Sequence, residues 1–327
     1  MNKKKYIPII ILIFLFIISC ILRISIKDGE FSIKLLNGII HGKKSSLFIF
    51  YSLRLPTLIA SISCSFLIVI ATYILQTISR NDLADPSALG YNNAALTVLA
   101  VLFLYIPAAQ KLSFFQILII SGVSIFIFAL IMYHFSQTTS NTVDGNVLLL
   151  IGIGLNTFFQ MILSYIKTYS GDIGEMLLVL MQGNFDHLKL NTALILFLIS
   201  VAILIIFISR ITTIRILQLG DLTANSLGLN LKKASFLLFF IMSAAIAIAV
   251  MFGGTFPFIG FTAIHTMRYF YGLNFKLHFI SSVLCAAVII IFSDLTAHQL
   301  FGTILPTNIF LGLFGGIGFL IILFRHL

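Results

Sequence analysis

The residues best placed to do work in this chain lie in the polar segment 210–233, which reads RITTIRILQLGDLTANSLGLNLKK. Gly220 is predicted to take a left-handed turn that stops one short helix, and Asp221 to cap the next by accepting its free backbone N–H groups. Gly228 is predicted to end that second helix. Such a helix, held at a membrane surface by flanking basic residues, offers a surface on which a partner can press. An ordinary loop with one helical turn is the alternative explanation.

A second polar pattern lies in the fifth apolar stretch, where Gly152, Asn156, Gln160 and Ser164 recur every four residues. This spacing places small and amide side chains along one face of a helix. Such a face suits a water-accessible path for a bulky polar solute. It suits equally well close helix packing with hydrogen bonds between helices.

Groups that couple transport to ions or bind nucleotides are missing from the positions that need them. No Asp, Glu, Lys or Arg falls in the middle of a predicted membrane span, and His265 lies near the end of one. Proton- and sodium-coupled carriers generally hold an acidic residue or an unwound ion site at mid-membrane depth. No GxxxxGK[ST] sequence is present, so the chain has no P-loop. These observations leave a passive pore, a scaffold or one part of a machine powered by another subunit, and segment 210–233 favours the last.

Enzymatic and metal chemistry are disfavoured by the same residues. A membrane-embedded enzyme needs clustered carboxylates or a Ser/His/Asp set facing one cavity, whereas the ten acidic residues here are dispersed. Cys20, Cys64 and Cys285 lie in separate apolar runs at no metal-ligand spacing. We expect them to be small buried hydrophobes without a disulfide or metal role.

The composition requires that these residues be positioned by membrane-spanning helices. Hydrophobic residues make up 60% of the chain and charged residues only 9%, with a mean hydropathy of +1.12. The net charge of +10 comes from short basic clusters between apolar runs, which suits membrane anchors better than nucleic-acid binding. We therefore expect an all-α polytopic membrane protein with a single transmembrane domain over residues 1–327.

About ten segments are long and apolar enough to span a bilayer, which requires ~20 residues. They are Tyr6–Leu22, Leu53–Thr77, Ser87–Ile106, Leu112–Tyr133, Val147–Ile166, Leu190–Ser209, Ala234–Met251, Thr255–Met267, Leu277–Phe292 and Thr303–Phe324. The eighth is conspicuously short, and the loop after the first is expected to hold a short amphipathic helix. The basic start and the apolar run to Cys20 also resemble a lipoprotein signal, but a chain that spans the membrane repeatedly needs no lipid anchor.

The distribution of Lys and Arg assigns the two sides of the membrane. With the N-terminus inside, the inner segments hold Lys3, Lys4, Lys5, Arg80, Arg210, Arg215, Lys232, Lys233, Arg268, Lys276 and Arg325. The later outer segments hold only Lys111, Lys167 and Lys189. The long first loop is predicted to lie outside and yet is rich in Lys and Arg, which goes against this trend. The assignment of sides therefore rests on the later loops. Both termini and segment 210–233 are predicted to be cytosolic.

Seven motifs from about residue 50 onward resemble the FecCD permease family in order and approximate spacing. They are Arg54-Leu55-Pro56, 76–90 (QTISRNDLADPSALG), 148–155 (LLLIGIGL), 219–228 (LGDLTANSLG), 254–268, 293–298 and 305–319. Members of this family are membrane subunits of importers for iron-siderophores, haem and vitamin B12. The resemblance implies a type II ABC importer permease fold of ten helices. It also implies a homo- or heterodimer of permease chains, two ATPase subunits and an external binding protein.

The resemblance also implies roles for individual residues, which we carry over by position. The segment that docks in a groove of the ATPase corresponds to Leu219, Gly220, Asp221, Ala224, Ser226, Leu227 and Gly228. Docking of the binding protein corresponds to Arg54 and His298. The cytosolic gate corresponds to Asn81, Asp82, Gly145 and Asn146, and the wall of the translocation pathway to Gly152, Asn156 and Gln160.

Several residues depart from the family pattern. Thr57 replaces the second arginine of Arg-Leu-Pro-Arg, and His298 replaces an arginine that follows Ala-Asp-x-x-Ala. Both changes weaken the basic docking surface, which then relies on Arg54 and the lysines of the first loop. Asp82 stands in place of a proline and brings a charge to the predicted gate, while Ile264 and Ile317 replace two further prolines. These changes point to a divergent substrate or to pairing with a different permease chain.

The sequence therefore predicts the permease subunit of an ATP-driven importer in the cytoplasmic membrane of a bacterium, with an iron-siderophore complex as substrate. A haem or cobalamin importer is the alternative within the family, and an ion-coupled secondary transporter is the alternative of another class. The chain is expected to be no enzyme and to bind no cofactor itself. ATP and Mg²⁺ would be bound by its ATPase partners.

Overall fold

The computed structural model describes residues 6–27, 30–137, 143–171, 185, 188–272, 274–297 and 307–326, and nearly all of these residues are helical. The helices are α1 (Ile7–Ser25), α2 (Ile33–Ile40), α3 (Lys44–Ile49), α4 (Leu55–Ser79), α5 (Tyr91–Tyr105), α6 (Phe114–Phe135), α7 (Gly145–Tyr169), α8 (Leu190–Ser209), α9 (Ile211–Leu217), α10 (Asp221–Ser226), α11 (Leu231–Gly253), α12 (Ile259–Tyr271), α13 (Phe275–Leu295) and α14 (Thr307–His326). Two short antiparallel strands, β1 (Ile26–Lys27) and β2 (Glu30–Phe31), follow α1.

Nine helical segments within the described residues are long and apolar enough to cross a membrane. The remaining predicted span corresponds to α12, which has 13 residues. At 1.5 Å per residue, α12 covers ~20 Å, less than the ~30 Å hydrocarbon core of a bilayer. The short helix expected in the first loop is α2. The fold class is therefore confirmed, with α12 too short to span by itself.

The chain divides into two compact units, and the first comprises Met1–Val69, Gly183–Val201 and Phe256–Leu327. Within it, α13 packs against α1, α12 and α14. Glycines of α14 allow a close approach, because a Cβ atom added at Gly315 would lie 2.3 Å from the carbonyl oxygen of Pro257. The hydroxyl of Thr262 also donates a hydrogen bond of 3.0 Å to the carbonyl oxygen of Gly315. The glycine-rich face of α14 thus serves helix packing.

The second unit comprises Ile70–Gln182 and Ala202–Thr255. Here α6 packs against α5 and α11, and α7 packs against α5 and α6. The Oη of Tyr91 and the Oγ of Ser243 form a buried hydrogen bond of 2.9 Å that ties α5 to α11. This unit also holds α9, α10 and the C-terminal part of α4, and it therefore positions the segment that the sequence singled out.

Candidate coupling and gating site

The segment between α8 and α11 forms two short helices joined by a glycine turn. It is called the coupling segment below, after the role that the family resemblance implies for it. Gly220 has φ +99° and Gly228 has φ +79°, and the two short helices end shortly before them, so both predicted helix stops are confirmed. After α10, the N–H of Leu229 donates to the carbonyl oxygen of Ala224 at 3.0 Å. The predicted cap is wrong, because α10 begins at Asp221 itself and no side chain caps its start. The Asp221 carboxylate is therefore available for another partner.

Apolar side chains of the α10 region point to the surface. Leu222 is 90% exposed, while Leu219 and Leu227 are 62% and 60% exposed. Ala224 is fully buried and holds α10 against the rest of the unit. Neighbouring exposed leucines in a polar segment are typical of a surface that a partner covers. The exposed apolar surface of Leu219, Leu222 and Leu227, in and beside α10, is called the leucine face below.

Asp221 forms an ion pair with Arg80, the residue that directly follows α4. Both side chains are about half exposed. Arg80 has φ +50°, a left-handed conformation that glycine adopts far more readily than arginine at the end of a helix. An arginine at such a position indicates that its side chain has a role, and here the side chain reaches the coupling segment.

A second contact joins the same two elements. The Nε2 of Gln218 donates to the Oγ1 of Thr77 at 3.4 Å, two residues before the end of α4. The coupling segment is thus attached to the end of α4 through a hydrogen bond on one side of Gly220 and an ion pair on the other. The sequence alone indicates no role for Thr77 or Gln218.

A cavity of about 300 Å³ lies where these elements meet α7. Its lining includes Arg80, Asp221, Gly145 and Asn146, so it brings two predicted gate residues beside the coupling ion pair. At Gly145, an added Cβ atom would lie 2.0 Å from the Cα of Ser79. The start of α7 therefore touches the backbone at the end of α4, and only glycine allows this approach.

The other two predicted gate residues occupy the turn between α4 and α5 and do not line the cavity. Asn81 shapes this turn, since its Oδ1 accepts a hydrogen bond of 2.9 Å from the N–H of Leu83. The carbonyl oxygen of Asp82 accepts a hydrogen bond of 2.8 Å from the buried Gln76 amide, while the Asp82 side chain is exposed. The turn is thereby held to the last turns of α4.

The polar stripe of α7 separates into two parts. An added Cβ atom at Gly152 would lie 3.1 Å from the Cα of Leu89, and the Oδ1 of Asn156 accepts a hydrogen bond of 2.8 Å from Asn93. These two residues support helix packing. Gln160 and Ser164 are exposed on the same helix. Asn156 is partly exposed, so Gln160 and Ser164 are the members of the stripe most open to a path or to another subunit.

Of the two residues predicted to dock the binding protein, Arg54 and His298, the structure describes only Arg54. The Arg54 side chain is only 9% exposed, and its Nη2 donates to the carbonyl oxygen of Ile26 at 3.1 Å. Docking through Arg54 would require this side chain to leave its present position. Thr57 is buried, and its hydroxyl donates a hydrogen bond to the carbonyl oxygen of Arg54, just before α4. His298 lies outside the described residues.

A buried ion pair in the first unit was missed by the sequence analysis. The Nε of Arg23 lies 2.5 Å from the Oδ2 of Asp294, and the two side chains are 2% and 1% exposed. Both residues sit within two positions of the end of a helix, just beyond the predicted ends of the first and ninth spans. The sequence did contain a sign of this pair, because Arg23 and Asp294 carry opposite charges and lie at two span ends that the predicted topology places on the same side of the membrane.

Comparisons with known proteins agree with the fold. The sequence profile of the FecCD transport family matches residues 11–325. The "Probable iron chelatin transport system permease protein" of Helicobacter pylori is 27% identical over 303 residues, which cover 90% of this chain and 89% of that protein. A vitamin B12 import system permease protein of Vibrio cholerae is 25% identical over 77% of this chain and 75% of its own length. A solved inward-facing ABC transporter, described as of the metal-chelate type, superposes with a TM-score of 0.81 at 18% identity, covering 98% of this chain and 99% of that one.

Proposed function

This chain belongs to the FecCD transport family, and from that premise we propose that it is the permease subunit of an ATP-binding-cassette importer. The observation that carries the proposal is the leucine face of α10, an exposed apolar surface attached by Asp221 and Gln218 to the end of α4. A partner that docks on this face and moves it would move the end of α4 as well. Two cytosolic ATPase subunits are the partners we assign to it.

The proposed cycle runs from the leucine face to the gate. Closure of the ATPases on ATP displaces α10, and the ion pair between Asp221 and Arg80 carries this displacement to the turn after α4. The same displacement reaches α7, because Gly145 lies against the backbone of Ser79. The cavity that these residues line would then change shape and open the gate.

The substrate we assign is an iron-siderophore complex, which an external binding protein would deliver to a dimer of permease chains. The Helicobacter pylori relative, named for iron chelatin, supports this choice. The Vibrio cholerae relative, named for vitamin B12, keeps cobalamin as the alternative, and the family resemblance keeps haem. We place the chain in a bacterial cytoplasmic membrane with both termini and α10 in the cytosol. Mg²⁺ and ATP belong to the ATPases.

An ion-coupled secondary transporter is the rival from another class. Such a mechanism would use a buried carboxylate, and the described residues hold two, Asp85 and Asp294. Asp85 lies in the turn before α5, where it accepts a hydrogen bond from the N–H of Ser87, so Asp294 is the buried carboxylate inside a spanning helix. It lies at the end of α13 and is neutralised by the Arg23 guanidinium, whereas coupling groups lie near the middle of the membrane. The position of the pair therefore argues for a structural role.

Co-purification with candidate ATPase and binding-protein partners tests the proposal. We expect the complex to hydrolyse ATP faster when the binding protein carries its iron chelate, and to respond less to haem or cobalamin. Leu222→Asp should abolish this stimulation, whereas Asn225→Asp adds the same charge to α10 and should leave most of it. Equal stimulation of wild type and Leu222→Asp would contradict the docking role of the leucine face.

A further inference from the structure

We propose that a small pocket formed by the two ends of the coupling segment and the start of α11 binds the phosphate headgroup of an anionic phospholipid. The pocket has a volume of about 170 Å³ and combines two basic residues, Arg210 and Lys233, with an apolar wall from Leu229, Leu237 and Leu238. It is separate from the cavity that holds the coupling ion pair. This inference does not depend on the proposed transport function.

The position of the pocket along the chain fixes its depth relative to the membrane. Arg210 directly follows Ser209, the last residue of the spanning helix α8. Lys233 is the third residue of the spanning helix α11. The pocket therefore lies where two spanning helices meet the membrane surface, on the face that carries α10. This is the depth at which lipid headgroups are found.

The charges of the pocket suit an anion. Its lining contains no acidic residue, and among the described residues neither Arg210 nor Lys233 forms an ion pair. Both side chains are exposed, so a ligand at the membrane surface can reach them. Basic pockets between spanning helices are a known arrangement for anionic lipid headgroups.

The size and walls of the pocket favour a lipid over a free ion. A volume of about 170 Å³ is several times the ~30 Å³ that a water molecule occupies, which is enough for a phosphate group and the first atoms of its glycerol. Ile206, one helical turn before Arg210, is exposed and apolar, and it continues the surface toward the membrane. An acyl chain can follow this surface, whereas inorganic phosphate gains nothing from the leucines.

Adjacent basic residues outside the pocket provide a matched control. Arg215 lies on α9 and Lys232 precedes Lys233, and neither lines the pocket. The double variants Arg210→Gln/Lys233→Gln and Arg215→Gln/Lys232→Gln remove the same number of charges from the same segment. A long-range surface effect would treat the two variants alike, whereas a pocket distinguishes them.

Native mass spectrometry of the purified full-length chain with phosphatidylglycerol or phosphatidylcholine tests the site. We expect Arg210→Gln/Lys233→Gln to weaken phosphatidylglycerol binding at least about tenfold. The control variant should stay within about twofold of wild type, and phosphatidylcholine should bind weakly to all three. Arg210→Lys should keep most of the binding, and thermal unfolding should confirm that each variant is folded.

Three outcomes would overturn the proposal. Equal weakening in both double variants would show diffuse surface charge, and unchanged binding in Arg210→Gln/Lys233→Gln would show that the pocket is not used. Displacement of bound phosphatidylglycerol by millimolar inorganic phosphate would identify a site for free anions.

Discussion

At the scale of single residues, the account rests on Arg80 and Asp221. Their side chains are about half exposed, and exposed ion pairs typically contribute only ~0–1 kcal/mol to stability. The pair therefore matters less for stability than as a connection between the leucine face and the end of α4. A role in transmission and a role in folding give different results when the two charges are changed.

Exchanging the two charges separates these roles. Arg80→Asp and Asp221→Arg each bring like charges together, so we expect each to reduce ATP-driven uptake at least about tenfold with little change in unfolding temperature. The double variant restores an opposite pair and should recover a substantial part of the uptake. Uptake in proteoliposomes, with surface expression as the control, measures this. Additive losses in the double variant would show that the two residues act separately.

Arg80→Gly gives a second and independent result. Glycine adopts φ +50° without the cost of ~1–2 kcal/mol that an L-residue pays in the left-handed region. We therefore expect this variant to be as stable as wild type or more stable in thermal unfolding, yet impaired in uptake because Asp221 loses its partner. Normal uptake by a stabilised Arg80→Gly protein would mean that the ion pair transmits nothing.

At the scale of elements, the close contact between α4 and α7 is what would pass the movement on from the ion pair of Arg80 and Asp221 to α7. The contact depends on Gly145, where a Cβ atom would meet the backbone of Ser79. Gly154 belongs to the same helix, and nothing lies within 4 Å of a Cβ atom added there. The two glycines form a matched pair of sites within one helix.

Alanine at these two glycines should have opposite effects on stability. Gly145→Ala forces α7 and α4 apart, and overpacking of this kind typically costs ~1–3 kcal/mol, so the unfolding temperature should fall. Gly154→Ala meets no obstacle and improves helix propensity by ~1 kcal/mol, so the unfolding temperature should hold or rise. Thermal unfolding of the purified full-length chain checks both. An unchanged unfolding temperature in Gly145→Ala would mean that the backbones of α4 and α7 do not depend on this close contact.

Elements were predictable where a local pattern determines them. Apolar runs of sufficient length located the spanning helices, and Gly220 and Gly228 located the turns around α10. The partner of Asp221 was not predictable, because Arg80 is distant in sequence and only the packing of α4 beside α9 and α10 brings them together. The predicted cap failed for the same reason, since the carboxylate forms a tertiary contact instead of a local one.

The stripe on α7 shows how far periodicity extends. The spacing correctly placed Gly152, Asn156 and Gln160 on one helix, but it did not show which neighbours they meet. In the structure, Gly152 packs against Leu89 and Asn156 accepts a hydrogen bond from Asn93, whereas Gln160 is exposed. A stripe can thus serve packing at one end and another purpose at the other.

For the molecule as a whole, we propose that the energy for transport arrives by contact at α10. Among the described residues, the buried Arg and Asp side chains in or beside the spans are those of Arg23, Arg54, Asp85 and Asp294, and each lies at or next to a helix end. Membership of the FecCD transport family agrees with energy supplied by partner subunits. An assembly with ATPases should therefore move solute, whereas this chain alone should not.

Uptake by reconstituted vesicles tests this claim most directly. Vesicles that contain the permease, its ATPases and Mg-ATP on the ATPase side should accumulate the iron chelate when the binding protein is present outside. We predict that this accumulation persists when a protonophore and a sodium ionophore collapse the ion gradients, and that it stops without ATP. Accumulation driven by a proton or sodium gradient in vesicles that contain this polypeptide alone would contradict the account.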